Sequence, residues 1–164
     1  YAQQFNPTHW MMMDADDCVN CHLAQLVDNN PECDGWVMRK GYMYQEGSRF
    51  IFINVTRFNH VSGTSVIIKN GLENLLFKTN PDLYLPSFET LPGADIKSLP
   101  FMGAIYSMLN GENILMSSQT YSQMKGQILT SIPRLFQRLL RYRVWILTPS
   151  IIRDFGLYPV ATSE

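Results

Sequence analysis

Apolar residues are grouped along this chain in runs that predict strands in the first half and helices in the last third. The first run, residues 10–13, reads Trp-Met-Met-Met without polar alternation, which is typical of a strand covered on both faces. It ends in the acidic segment Asp14-Ala15-Asp16-Asp17. Because ligands of open α/β sheets bind beyond the carboxyl ends of the strands, the pattern predicts a site at Asp14 and Asp16.

The remaining pattern predicts the elements around this site. Strand-like segments cover residues 35–44 and 49–55, expected as an antiparallel hairpin, and residues 61–69, which should end at Asn70-Gly71. Helical spacing covers residues 17–28, 72–77, 121–143 and 150–155. The last of these helices should begin after Thr148-Pro149 and end at Gly156. Turn signals fill residues 79–100, which predicts a long loop over the site.

Composition and charge narrow the classes of protein. A chain of 164 residues with 46% hydrophobic residues can bury a core in one domain. Its net charge of −1, with 16% charged residues, lacks the positive field that marks a nucleic-acid binder, so no nucleic-acid partner is expected. The apolar runs are shorter than a membrane span and no signal-peptide pattern opens the chain. We therefore expect no transmembrane segment and a cytoplasmic location.

The spacing of Asp14 and Asp16 suits a metal ion. Residues two apart in an extended segment point the same way, so both carboxylates can converge while Ala15 stays aside. Hard carboxylate oxygens favour Mg²⁺ or Mn²⁺, and Mg²⁺ is usually held by one or two carboxylates together with substrate phosphates. The pattern therefore predicts a site for a metal and a diphosphate. The alternative is that the acidic residues cap a helix, with Asp17 as its N-terminal residue.

Four segments together resemble a known family. They are WMMMDADDCVNCHLAQLV, DGWVMRKGYMY, RFNHVSGTSVIIK and LPFMGAIYSMLNGENI. In this order they resemble the second half of a family-two-like glycosyltransferase with a GT-A fold. The resemblance implies an α/β fold with a mixed sheet flanked by helices. It also implies transfer of a sugar from a nucleoside-diphosphate donor to an acceptor hydroxyl, with Asp14 nearer the nucleotide and Asp16 as the main metal ligand.

The resemblance also divides the chain and suggests further site residues. Residues 1–78 would hold the acidic motif, a helix and sheet, residues 79–118 the acceptor-side loops, and residues 119–164 the C-terminal helices of a single domain. An inverting transfer needs a carboxylate base near the acceptor hydroxyl, for which Glu112 and Asp95 are the candidates, with Glu112 preferred in its polar turn. Apart from the resemblance, histidine chemistry makes His60, beside the turn Gly63-Thr64-Ser65, a candidate third metal ligand or acid–base group.

The chain departs from this family at its start. A GT-A enzyme places a nucleotide-binding βαβ half ahead of the acidic motif, whereas only thirteen residues precede Asp14 here. We therefore expect a fragment of a longer polypeptide, without the base and ribose pockets. A strand that has lost its neighbours would expose an edge, which predicts self-association into a homo-oligomer. A non-catalytic binding or assembly domain is thus the alternative to an enzyme.

The three cysteines allow other interpretations. Cys18-Val19-Asn20-Cys21-His22 matches the C-x-x-C-H attachment motif of c-type haem. A zinc site would use the same cysteines with Cys33 and His22, but the second closely spaced pair of a structural zinc site is missing. Reduced cysteines that pack as small apolar residues are the favoured interpretation, and their odd number fits a reducing compartment.

Overall fold

In a computed structural model, residues 5–72, 93–108 and 142–158 are described, and they form two mixed sheets. The first sheet has the order β1 (His9–Met11), β6 (Val66–Lys69), β3 (Gly35–Val37), β7 (Ile96–Ser98). The second has the order β2 (Cys18–Val19), β8 (Ala104–Ser107), β4 (Gly41–Tyr44), β5 (Phe50–Asn54), β9 (Tyr142–Ile146). The pairs β3–β7 and β4–β8 are parallel and the others antiparallel. The expected α/β class with mixed sheet is confirmed.

Helices are short in the described residues. Helix α1 spans Leu23–Asp28, helix α2 spans Pro149–Phe155, and a 3₁₀ helix spans Phe58–His60. None of the helices within residues 5–72, 93–108 and 142–158 has the length and apolar character needed to cross a membrane. The cytoplasmic location stays a prediction.

The core lies between the two sheets and on their outer faces. Trp36 of the first sheet and Met38, which follows β3, pack with Ala104 and Tyr106 of the second sheet, in a cluster that also contains the fully buried Phe58. The intervening residues point the other way: Val37 packs with Val66 and Ile68, and Ile105 packs with Ile51, Ile151 and Phe155. This alternation buries both faces of β3 and β8, as expected for strands at the centre of a layered fold.

Several elements predicted from short sequence patterns are confirmed. Strands β4 and β5 form the expected antiparallel hairpin, with Tyr44 opposite Ile51. Strand β6 ends at Asn70-Gly71, where Gly71 has a φ of +90°. Helix α2 begins as predicted, because the Thr148 hydroxyl accepts a hydrogen bond from the Ile151 amide at 3.3 Å. It ends at Gly156, whose left-handed conformation glycine adopts without strain.

Three expectations about the elements are wrong. Residues 10–13 are not a strand covered on both faces: β1 ends at Met11, pairs with β6 alone in the described sheet, and leaves Met12 and Met13 57% and 54% exposed. The helix expected over 17–28 begins only at Leu23, because residues 18–19 pair with β8 instead. Residues 35–37 belong to the first sheet and not to the hairpin.

Other predicted elements are partly or wholly outside the description. The loop expected over 79–100 contains strand β7 in its described part, which pairs in parallel with β3. Residues 142–143 were predicted as the end of a helix and belong to strand β9. The helix predicted over 72–77 and the rest of the one over 121–143 fall outside the described residues, apart from Leu72.

Candidate functional site

Asp17 is the buried anchor of the acidic segment. Only 5% of this residue is exposed. Its carboxylate accepts hydrogen bonds from the Ser62 hydroxyl at 3.1 Å and the Ser107 amide at 3.0 Å, and it also bonds the Thr64 hydroxyl. Burial raises the pKa of Asp17 above its ordinary value of 3.8, although these hydrogen bonds act in the opposite direction. Asp17 therefore ties the acidic segment to residues 62–64 and to the end of strand β8.

The backbone of the same segment is fixed at three further points. The Asp17 amide donates to the Asp14 carbonyl at 3.1 Å, which closes a tight turn. The Asp14 amide donates to the Thr64 hydroxyl at 2.9 Å, and the Ser107 hydroxyl donates to the Asp16 carbonyl. A loop held at this many points presents its remaining side chains in a defined arrangement.

Gly63 lies directly beneath the Asp14 carboxylate. A Cβ atom built on Gly63 would come within 3.0 and 3.2 Å of the two carboxylate oxygens of Asp14. Such contacts are tighter than ordinary van der Waals separations, so any side chain here would displace Asp14. The absence of a side chain at residue 63 lets the two loops approach each other.

The three carboxylates create a common negative field. The pKa of the Tyr106 phenol is raised to about 12, first by its burial and then by the charges of Asp17, Asp16 and Asp14. The pKa of the Cys18 thiol is raised by burial and then by Asp17 and Asp16. The bonds from Ser107 to the Asp17 carboxylate and the Asp16 carbonyl place this segment at the end of β8. Asp14 is exposed and Asp16 half-buried, so these two can meet a ligand while Asp17 cannot.

The structure brings some of the predicted site residues together. Asp14 and Asp16 lie on the anchored loop, and His60 ends the 3₁₀ helix two residues before Ser62, on the segment that bonds Asp17. Glu112 falls outside the described residues. Among the described residues, the three-ligand geometry of a metal site is not met at Asp14 and Asp16, whose metal would need other ligands such as phosphate oxygens.

Asp95 is placed far from the acidic segment. It precedes strand β7, and its amide donates to the Asp34 carboxylate at 2.9 Å, just before the parallel strand β3 begins. Strand β1 also runs parallel to β3, because both are antiparallel to β6. Asp14 follows the carboxyl end of β1, so it lies at the opposite end of the sheet from Asp95. The topology therefore argues against a role for Asp95 as a base beside Asp16.

Sequence reasoning missed the residues that hold the loop. The sequence pattern places Asp17 at the start of a helix and indicates no role for Ser62, Thr64 and Ser107. The sequence does contain a third acidic residue and a hydroxyl-rich segment, Ser62-Gly63-Thr64-Ser65, whose hydroxyl groups can donate hydrogen bonds to a carboxylate. The sequence alone does not show that these two segments are in contact.

The cysteines occupy different environments. Cys18 is half-buried on strand β2 and packs in the apolar cluster of Ile105 and Phe155, which argues against covalent attachment of haem at this residue. Cys33 is buried and its thiol donates to the Gly35 carbonyl at 3.4 Å. Cys21 is exposed. Its thiol, a ring nitrogen of His22 and a carboxylate oxygen of Asp154 lie within 4.8 Å of one another.

Comparisons with known proteins identify no relative. No family model, no curated protein and no solved structure matches this chain. The residues and their geometry, together with the resemblance of the four sequence segments, are therefore the basis for inferring a function.

Proposed function

We propose that this chain is a glycosyltransferase-like domain of the GT-A kind, which binds a nucleoside-diphosphate sugar through a divalent metal at Asp14 and Asp16. One observation supports the proposal. The buried Asp17 fixes the loop that bears Asp14 and Asp16, whose carboxylates are more accessible to solvent than that of Asp17. A site for a metal and a diphosphate needs such a pair in a fixed position, because phosphate oxygens complete the coordination.

The roles of the residues follow from their environments. Asp14 and Asp16 would hold the metal, and Asp17 would keep their loop in place without touching the ligand. A bound Mg²⁺ or Mn²⁺ supplies Lewis-acid stabilisation of the negative charge that develops on the departing nucleoside diphosphate. Tyr106 remains a neutral phenol at physiological pH, since its pKa is about 12. It therefore adds no further negative charge to the site.

The reaction also needs an acceptor hydroxyl and a base. The acceptor hydroxyl would attack the anomeric carbon of the sugar while a base removes its proton. Glu112 stays the proposed base and His60 a proposed additional metal ligand. Asp95 is not proposed again, since the sheet separates it from Asp14.

The proposal is tested by calorimetric titration of Mn²⁺ with UDP, and then with GDP, into the whole chain. We expect nucleotide binding that requires the metal and that weakens at least about tenfold in Asp16→Ala. Asp28→Ala, which removes an exposed carboxylate from the end of α1, is the matched control and should bind as the native chain does. Folded native protein without metal-dependent binding, or equal binding by Asp16→Ala, would contradict the proposal.

A separate observation supports the assembly alternative. Strand β9 ends the second sheet among the described residues, and its Val144, Trp145 and Ile146 are exposed. Phe50, opposite Ile146 on β5, is exposed as well. An apolar edge strand of this kind favours pairing with a second copy. Light scattering over a concentration series should show a dimer that Val144→Lys weakens; a monomer at every concentration would exclude this alternative.

A further inference from the structure

A second cluster of metal-ligating side chains lies outside the acidic loop. It combines Cys21 and His22, which precede α1, with Asp154 of α2. Asp154 is far from Cys21 and His22 in the sequence, and the fold brings the ligand atoms of all three within 4.8 Å of one another. The residues are exposed or half-buried, so a metal ion can reach them from solvent.

The backbone holds the two segments together without a metal. The Cys21 amide donates to the Asp154 carbonyl at 2.8 Å. The His22 amide donates to the Asn20 side chain at 2.9 Å, and Asn20 in turn donates to the Met102 carbonyl at 3.1 Å. The backbone positions of all three ligands are therefore set by contacts other than those of their own side chains. Such an arrangement lowers the entropy that must be lost when a metal binds.

The kinds of ligand atom select the metal. A thiolate, an imidazole and a carboxylate form a mixed set that suits Zn²⁺, whereas Mg²⁺ and Ca²⁺ require oxygen ligands. In a tetrahedral zinc site neighbouring ligand atoms lie about 3.4–3.6 Å apart. The ligand atoms of this cluster lie within 4.8 Å of one another, so the exposed Cys21 and His22 side chains would have to rotate to reach the tetrahedral spacing around an ion. Arg153 contacts one Asp154 oxygen at 3.3 Å, which leaves the second oxygen for the metal.

We propose that Cys21, His22 and Asp154 bind a zinc ion whose fourth position is open to water. Binding replaces the proton of the Cys21 thiol, which passes to solvent, with a zinc–sulfur bond. The bound ion connects the start of α1 to α2. This site shares no residue with the one proposed at Asp14 and Asp16 and does not depend on it. Only the zinc site contains a soft sulfur ligand, so the two sites can be distinguished by experiment.

The test uses Co²⁺ as a coloured substitute for Zn²⁺ in the whole chain. Native protein should show a thiolate-to-cobalt charge-transfer band together with the strong visible bands of tetrahedral cobalt, and added Zn²⁺ should remove both. Cys21→Ser should abolish the charge-transfer band. Asp154→Asn should weaken zinc binding at least about tenfold, measured by competition with a chromogenic chelator. This variant keeps the backbone bond to Cys21, so its fold should persist.

Two controls keep the result specific. Cys18→Ser changes the other cysteine of the C-x-x-C motif and should leave the cobalt spectrum and the zinc affinity unchanged. Asp16→Ala should also leave the charge-transfer band unchanged, which separates this site from the acidic loop. Absence of a thiolate band in folded native protein would overturn the proposal. Loss of the band in Cys18→Ser, with Asp154→Asn binding normally, would also overturn it and assign the metal to the cysteine pair.

Discussion

Replacing Asp17 removes the acceptor shared by three hydrogen bonds between the acidic loop and its supports. In Asp17→Ala, the hydroxyls of Ser62 and Thr64 and the amide of Ser107 lose this partner. Ser62 and Thr64 are almost fully buried, so water does not readily replace the carboxylate. The change should therefore destabilise the fold and free the loop.

The expected size follows from the chemistry of the donors. A buried donor left without an acceptor costs about 1–3 kcal/mol. The two hydroxyls can rotate toward other acceptors, so we count the three lost bonds as about two unsatisfied donors, or about 2–6 kcal/mol in the free energy of unfolding. Asp17→Asn keeps the shape and an acceptor oxygen for Ser107, and its amide nitrogen can donate to Ser62. It should therefore change stability by no more than about 1 kcal/mol.

Urea unfolding followed by tryptophan fluorescence measures both variants. Trp36 is buried between the sheets, so its emission should shift when the core opens. Asp28→Ala, on the exposed end of α1, is the control for loss of a carboxylate that has no anchoring role. A stability of Asp17→Ala within about 0.5 kcal/mol of that control would refute the anchoring role. Equal losses in Asp17→Ala and Asp17→Asn would show that the charge itself is required.

Three further predictions concern pH, backbone conformation and helix capping. The pKa of Asp17 is raised in the folded state, so its contribution to stability is complete below pH 3.8 and falls as the pH rises through the folded pKa. Urea unfolding should therefore show that the native protein loses stability relative to Asp17→Asn as the pH rises from 3.8 through the folded pKa. Gly35→Ala should destabilise the protein by about 3 kcal/mol or more, since its Cβ would lie 2.3 Å from the Ile67 carbonyl oxygen at a φ of +153°. Gly47 has a φ of +79° but open space around its Cα, so Gly47→Ala should lower the free energy of unfolding by only about 1–2 kcal/mol in the same assay. Equal losses in Gly35→Ala and Gly47→Ala would contradict the steric clash at Gly35. Thr148→Ala should lose about 1 kcal/mol in thermal unfolding through the missing N-cap, and no change would exclude that role.

Elements encoded by neighbouring residues could be predicted from the sequence. The capping signals Thr148, Pro149 and Gly156 located α2, because a helix end is determined by hydrogen bonds within a few residues. The hairpin of β4 and β5 was predicted for a similar reason, since a short polar turn separates two apolar runs. The stop at Gly71 depends on one positive φ.

Features that depend on distant partners could not be predicted. Residues 18–19 form a strand because β8 offers them a partner, and that pairing overrides helical spacing. Other contacts between distant residues bury Asp17 against Ser62 and Ser107, and the pairing of β7 with β3 separates Asp95 from Asp14. Asp154 reaches Cys21 only in the folded chain. Hydrophobic periodicity indicates which face of a helix or strand is buried, but it does not indicate which loops lie together at the end of a sheet.

The acidic loop would divide its roles, with Asp16 on the metal and Asp17 holding the loop in place, and binding of Mn²⁺ with UDP to two variants tests this division. Mn²⁺ electron paramagnetic resonance reports the free ion as binding proceeds. We predict that Asp16→Ala loses the UDP-dependent uptake of Mn²⁺ while Asp17→Asn retains it, since Asp16 would contact the metal and Asp17 would not. Retention in Asp16→Ala with loss in a folded Asp17→Asn would contradict the account and place the ligand on the buried carboxylate.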